Sequence, residues 1–331
     1  MKYSFIIPIY NRPDELDELL NSLVSQTYED IFEVVVIEDG SSIPSKEVCE
    51  KYNNDLSITY LPKPNSGPGD SRNYGMRHAQ HDYFLILDSD CILPPHYLEA
   101  VDDYLQTHYV DCFGGPDTAT DDFTDIQKAI NYTMTSLLTT GGIRGSQKRI
   151  QRFEPRSFNM GLSRKAFEAT GGFGKIHPGE DPDLVIRLWK QGFDTAFIPT
   201  AFVFHKRRIS WEKFRTQVSK FGQTRAILNH WHPESRKLTF WLPTCFTLGL
   251  CGALLLLIFR RIEPLLVYVC YFILIAWDSA RENRSVKIGL LSVWALLVQF
   301  FSYGWGFLKA TLKIAFSKKP MEQLFPHLFF K

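Results

Sequence analysis

The sequence predicts an α/β domain with a mainly parallel sheet flanked by helices, followed by a C-terminal transmembrane helical region. Three observations carry this expectation. Short apolar runs, "YSFIIPIY", "FEVVVIED", "SITYLPK" and "YFLILD", alternate with helical patterns through the first 90 residues. Those runs are apolar at successive positions, as strands covered on both faces are. Residues 238–308 are mostly apolar, whereas residues 1–235 are mixed and punctuated like a soluble domain. The mean hydropathy of -0.13 averages over that division.

The opening "MKYSFIIPIYNRP" carries a charge and then an apolar run. Pro8 interrupts the run and no small-residue cleavage site follows, so it reads as a first strand rather than a secretory signal. Leu16, Leu19, Leu20 and Leu23 then recur at helical spacing behind a turn at Asn11 to Pro13. After the second strand, "SKEVCEKYN" predicts another helix, and "NSGPGDSRNYGMRHA" begins as a loop and becomes a third. "VDCFGGPDT" predicts a further strand, a helix is expected around 123–139, and "FNMGLSRKAFEATGGFGK" predicts a short helix entered and left through glycines. In "HPGEDPDLVIRLWKQGF" an acidic turn precedes an amphipathic helix whose Leu184, Leu188 and Trp189 should face the core.

Composition excludes some classes. With 37 Lys+Arg against 36 Asp+Glu, the formal net charge of +1 gives no reason to expect a nucleic-acid partner. The six cysteines, at 49, 91, 112, 245, 251 and 270, form no CxxC, so neither a disulfide framework nor a thiolate zinc site is indicated. A reduced compartment fits the portion up to residue 235. No GxSxG, GxxxxGK[ST] or GxGxxG pattern is present.

Chemistry concentrates in two acidic groups. Asp88 and Asp90 flank Ser89 just past the fourth strand, where residues two apart can point the same way and hard oxygens suit Mg²⁺ or Mn²⁺. A turn that favours Asp and Ser would use the same residues. Glu180, Asp181 and Asp183 open the later helix, where unpaired amides keep carboxylates ionised and able to take a proton from a hydroxyl. His205, after the apolar "AFVF", is either a nitrogen ligand or a surface residue. Arg144, Lys148, Arg149, Arg152 and Arg156 mark a mobile basic loop, either plainly solvated or closing over an anionic ligand.

Several motifs together resemble the inverting family 2 glycosyltransferases. "SFIIPIYNRPDELDELLNSLVSQTY", "VVVIEDGS", "GPGDSRNYGM", "ILDSD", "FNMGLSRKAFEATGGF" and "GEDPDLVIRLWKQGF" follow that family's order. The resemblance implies a GT-A fold and a nucleotide-sugar donor. By position, Pro8, Tyr10 and Arg12 would line the nucleotide site, Asp39 would accept from the base, commonly uracil, and Arg72 would close the pocket. Asp88 and Asp90 would be the DxD pair, with Asp90 the direct metal ligand, Asp88 and Ser89 beside the ribose and cation, and His205 completing the metal shell. Asp181 would be the general base and Glu180 would orient it or the acceptor.

The resemblance further implies transfer of a sugar, from a UDP-sugar by family tendency, to a lipid-linked or cell-envelope glycan. "RRISWEKFRTQVSKFGQTRA" lacks the Q/RxxRW spacing that processive relatives share, so one sugar per encounter is expected. A processive polysaccharide synthase and a non-catalytic nucleotide-binding membrane scaffold are the rival readings. The expected organisation is a catalytic domain over 1–235 with a basic, aromatic interfacial segment at 206–237, spans at 238–259, 264–277 and 288–308, and a tail at 311–331. An integral protein of the bacterial inner membrane is expected, its catalytic domain cytoplasmic, with homo-oligomerisation left open.

Overall fold

The computed structural model describes residues 1–118, 123–140, 152–205 and 210–330. The chain divides into two compact units, one of Met1–Thr120, Ile150–Lys206 and Phe329–Lys331, the other of Asp121–Arg149 and Arg207–Leu328.

The first unit is built on β1 (Tyr3–Ile9), β2 (Glu33–Asp39), β3 (Ser57–Lys63) and β4 (Tyr83–Leu87), separated by α1 (Pro13–Val24), α2 (Lys46–Lys51) and α3 (Pro68–His78). β1 pairs in parallel with both β2 and β4, and β3 lies outside β2. Strand order therefore reverses beside β1, and the carboxyl ends of β1 and β4 open on the crevice where such sheets hold ligands. Period-two alternation explains why these strands read as unbroken apolar runs. Phe5, Ile7 and Ile9 bury one face against Leu16, Leu19, Leu20 and Leu23 of α1, while Ile6, Val35 and Ile37 bury the other against Met76 of α3.

β5 (Cys91–Ile92) follows the acidic turn and α4 (Tyr97–Thr107) packs beneath the first face. The strand expected from "VDCFGGPDT" divides in two. β6 (Cys112–Gly114) joins the main sheet, and β7 (Asp117–Thr118) enters a separate three-stranded sheet. In chain order, α5 (Asp125–Thr135) and α6 (Leu137–Thr140) come next and belong to the second unit. The chain returns as β8 (Asn159–Ser163), antiparallel between β4 and β6. Sequence reasoning missed this strand, because it holds Asn, Gly and Ser where β-branched residues would announce one. Gly161 is required there, since a Cβ would sit 2.0 Å from the Phe113 ring.

α7 (Arg164–Thr170) and α8 (Glu180–Lys190) then cover the second face. Leu184 and Leu188 are fully buried there, with Trp189 partly so, as the helical spacing predicts. β9 (Thr195–Phe197) closes the main sheet, whose order is β3-β2-β1-β4-β8-β6-β9. β10 (Val203–His205) lies between β5 and β7 in the smaller sheet.

In the second unit α9 (Trp211–Trp231), α10 (Leu242–Leu256), α11 (Glu263–Asn283) and α12 (Val286–Ala315) are the long helices, and α13 (Met321–Leu324) is a single turn. Three segments, Leu238–Phe259, Glu263–Asn283 and Val286–Ala315, are long and apolar enough to cross a membrane. The middle one, only 14 residues by apolar composition, runs for 21 as a helix, its C-terminal turns being polar. Small residues let the backbones approach: a Cβ on Gly222 of α9 would lie 2.4 Å from Tyr303 O of α12. Ser279 and Ser292 share a buried hydrogen bond of 2.7 Å between α11 and α12. The helix expected at 123–139 also groups with this unit, not with the sheet. Its Ile130 and Met134 share one apolar cluster with Phe214, Val218 and Ala295.

Candidate active site

The loops after β1 and β2 form one wall. Pro8 is the penultimate residue of β1, in register with Ile37, and Tyr10 beyond it is exposed. Asn11 takes a left-handed turn at φ 55°. Its side-chain Oδ1 accepts from the amides of Ser42 at 2.7 Å and Ile43 at 3.0 Å, which ties the two strand ends together. Arg12 reaches Glu15 at 2.9 Å and Asp90 at 3.7 Å. One expected nucleotide residue therefore touches the expected metal residue.

Asp39, buried at the end of β2, accepts from Lys63 at 2.5 Å and the Ser66 amide at 2.9 Å on one oxygen. Its other oxygen accepts from the Gly67 amide at 3.0 Å. A carboxylate offers about four acceptor positions, so three donors leave one lone pair on Oδ2. The residue thereby shapes the glycine loop.

Arg72 is 3% exposed on α3 and joins the two acidic groups. Its Nη2 donates to Asp88 Oδ1 at 2.6 Å and its Nη1 to Glu180 Oε1 at 3.1 Å. The guanidinium also lies 5.3 Å from the centre of the Phe173 ring. Its Nε is buried with no partner. Ser89 is buried between Asp88 and Asp90, whose side chains are 34% and 19% exposed. His205 pairs in backbone register with Cys91, the residue after Asp90, and its side chain lies outside the described residues.

At the start of α8, Glu180 is held on every side. Besides Arg72, it accepts from the Gly179 amide at 3.0 Å and contacts His177 Nδ1 at 3.1 Å. Burial opposes its charge, yet His177, Arg72 and a backbone amide hold the carboxyl down to about 2. Asp181 differs. Burial pushes its carboxyl above the ordinary aspartate value and the Glu180 charge adds to this, with Arg156 and Arg72 opposing. Arg156 Nη1 lies 3.5 Å from Asp181 Oδ2. Asp183 turns away to Arg187, at 2.8 Å. The two adjacent carboxyls are thus shifted in opposite directions, Glu180 down and Asp181 up.

Among the described residues no three His, Cys, Asp or Glu gather as a metal cage. A magnesium-type ion does not need one, because one or two carboxylates plus substrate phosphates and water complete its shell. Asp88 and Asp90, partly exposed hard oxygen donors at the mouth of the crevice, fit that requirement.

Of the basic loop, Arg144, Lys148 and Arg149 lie outside the described residues. Arg152 pairs with Asp194 at 3.5 Å, and Arg156 faces Asp181 rather than an open loop. Sequence reasoning also missed His177, and Asn73, which exchanges two 2.8 Å hydrogen bonds with the Phe173 backbone. Asn159 was missed as well; it accepts from the Tyr97 hydroxyl at 2.7 Å and donates to Ala201 O at 2.8 Å. Asn73 stands one position from Arg72 in "SRNYG", and His177 stands three before Glu180; those offsets were the available signal.

The chain is similar to known proteins in sequence and in fold. The poly(ribitol-phosphate) β-N-acetylglucosaminyltransferase TarS of Staphylococcus aureus is 35% identical over 114 residues, 34% of this chain and 20% of TarS. The chain thus matches only a small part of that relative. Among solved structures, the mannosyltransferase PcManGT of Pyrobaculum calidifontis, in complex with GDP-Man and Mn²⁺, superposes with a TM-score of 0.66 at 14% identity, covering 92% of this chain and 87% of that one. TarS 1–349 in complex with UDP-GlcNAc gives 0.50 at 18% identity, over 93% and 91%. These likenesses show a shared GT-A type fold. Residues 4–171 match the family described as glycosyl transferase family 2, and the chain belongs to that family.

Proposed function

We propose that this protein transfers a sugar, with inversion, from a nucleotide-sugar to a lipid-linked or cell-envelope glycan acceptor, one residue per encounter. The observation that carries the reading is Arg72, which grips Asp88 and Glu180 at once and so brings both acidic groups to a single locus. A UDP-sugar is the proposed donor, supported by the TarS likeness, whose solved complex holds UDP-GlcNAc.

In this reading Pro8, Tyr10, Arg12 and Asp39 hold the nucleoside, with Asp88 and Ser89 at the ribose. Asp88 and Asp90, with His205, would hold a divalent cation, Mg²⁺ or Mn²⁺, which would supply neutralisation of the charge that develops on the diphosphate. Arg72 keeps Asp88 in place. Asp181 takes the proton of the acceptor hydroxyl as its oxygen bonds to the anomeric carbon, while the bond from that carbon to the diphosphate breaks on the opposite side. Glu180, fixed as an anion, keeps the helix entrance negative and favours that proton transfer. The Asp181 side chain is 16% exposed, which leaves it reachable by an acceptor hydroxyl and limits the approach of water, the competing acceptor.

The catalytic unit is proposed to face the cytoplasm at a bacterial inner membrane, with α10, α11 and α12 as spans. Three helices of sufficient length and apolarity support this, and protease accessibility of the first unit in sealed vesicles tests it. The decisive assay is nucleotide release and sugar transfer from a panel of UDP- and GDP-sugars with Mg²⁺ or Mn²⁺. Wild-type turnover lost in Asp90→Ala and Asp181→Asn supports the reading. Unchanged rates in both variants reject it, and long products on a gel would reject the single-transfer part.

A further inference from the structure

The loop Phe173–His177 delivers His177 to Glu180, and a distant stretch of chain is laid against it. Ile176 and Phe329 form an antiparallel bridge, and the Phe330 amide donates to Lys175 O at 3.2 Å. The Phe330 ring then packs on two sides. Its centre lies 5.7 Å from that of the His177 ring. On the other side a Cβ added to Gly67 would fall 2.3 Å from the Phe330 ring, so glycine alone fits, at φ +91°. Gly67 is the residue whose amide holds Asp39.

Between these walls lies a cavity of 290 Å³ lined by Ser66, Asp70, Asn73, Lys175, His177 and Phe330 among others. Without the ring, the cavity would widen beside His177; Asn73 and Arg72 of α3 would still hold the loop at Phe173, and its far end would keep only the backbone contacts to Phe329 and Phe330. A loop end that keeps its backbone contacts but loses the ring packed on His177 leaves that side chain freer to move, and a shift of about 1 Å in a supporting group can cost about a hundredfold in rate.

We propose that Phe330 is a positioning residue of the active site, bracing the Phe173–His177 loop so that His177 stays against Glu180. This rests on the transferase reading above. Part of the site wall therefore comes from residues far along the chain from the family-matched segment.

Two measurements test it. Hydrogen exchange of the full chain in detergent does not depend on turnover: Phe330→Ala should speed exchange at least tenfold in peptides spanning 173–179, with β1 and β4 unchanged. Unchanged exchange in that loop overturns the proposal whether or not the protein is a transferase. Where wild type turns over, Phe330→Ala should lower kcat about tenfold with UDP affinity within threefold, and Phe330→Tyr should restore most of it. His177→Ala combined with Phe330→Ala should be no more than twofold slower than His177→Ala alone, because the two act through one contact. Losses that multiply, or a kcat untouched by Phe330→Ala, overturn it. If Phe330→Ala does not fold, Phe330→Leu replaces it in both measurements with the same expectations and the same overturning results.

Discussion

Arg72 and Glu180, 108 residues apart in the chain, meet through a 3.1 Å bond inside a shell that leaves both almost wholly buried. The same guanidinium holds Asp88, so that both acidic groups converge on Arg72. Removing it strands a buried carboxylate. Arg72→Ala should destabilise the first unit by about 3 kcal/mol and abolish transfer. Arg72→Lys should recover part of the stability and little activity, since an ammonium lacks the planar fork that spans two partners. Thermal unfolding read alongside turnover checks both.

Asp181 is the proton acceptor in the proposed reaction, and burial raises its carboxyl above the ordinary aspartate range. A raised base is lost to protonation sooner as pH falls, so the acid limb of kcat should lie above that of an exposed aspartate. Arg156 opposes the shift. Arg156→Ala should therefore move that limb to higher pH, and Asp181→Asn should cut kcat by about 10²-fold or more while UDP binding holds. A pH–rate profile of each variant, with calorimetric binding of UDP, reads the two effects separately.

Asp90 is proposed to act through a cation. Chelation should stop turnover, and added Mg²⁺ or Mn²⁺ should restore it. Asp90→Ala should weaken UDP-sugar binding at least tenfold with the metal present, yet leave residual binding under chelation close to wild type. Titration calorimetry in the two buffers distinguishes a metal ligand from a direct sugar contact.

Gly161 tests the packing that places β8. A methyl there meets the buried Phe113 ring at 2.0 Å, so Gly161→Ala should cost about 1–3 kcal/mol by overpacking. Phe113→Leu in the same chain should return part of it. Chemical denaturation of the two variants, with attention to an unchanged m-value, measures this.

Local pattern made much of the molecule legible. The covered positions of β1, β2, β4 and α1 are mostly apolar, because a parallel sheet sandwiched by helices buries both sides of its inner strands, whereas β3 at the edge is only partly buried. The acids at 88, 90, 180 and 181 stood out because charge at the mouth of a buried element is costly unless it has work to do. β8 was opaque for the opposite reason. Its Asn159 and Gly161 answer to Tyr97, Ala201 and Phe113, neighbours far away in sequence. Arg156, expected in a mobile loop, was opaque in the same way, since a guanidinium carries no sign of which carboxylate it will face.

The amino-acid sequence alone determined the alternation of strand and helix, the membrane-length apolar segments, and the chemical character of the two acidic groups. Those properties follow from hydrophobic periodicity and charge, which act between near neighbours. The tertiary structure alone decided that Arg72 holds the two groups together, that Glu180 meets His177 and Arg72 while Asp181 faces Arg156, and that Phe330 packs on the loop before α8. Such relationships depend on distances across the fold, where burial strengthens each charge interaction and a few tenths of an ångström decide which partners meet.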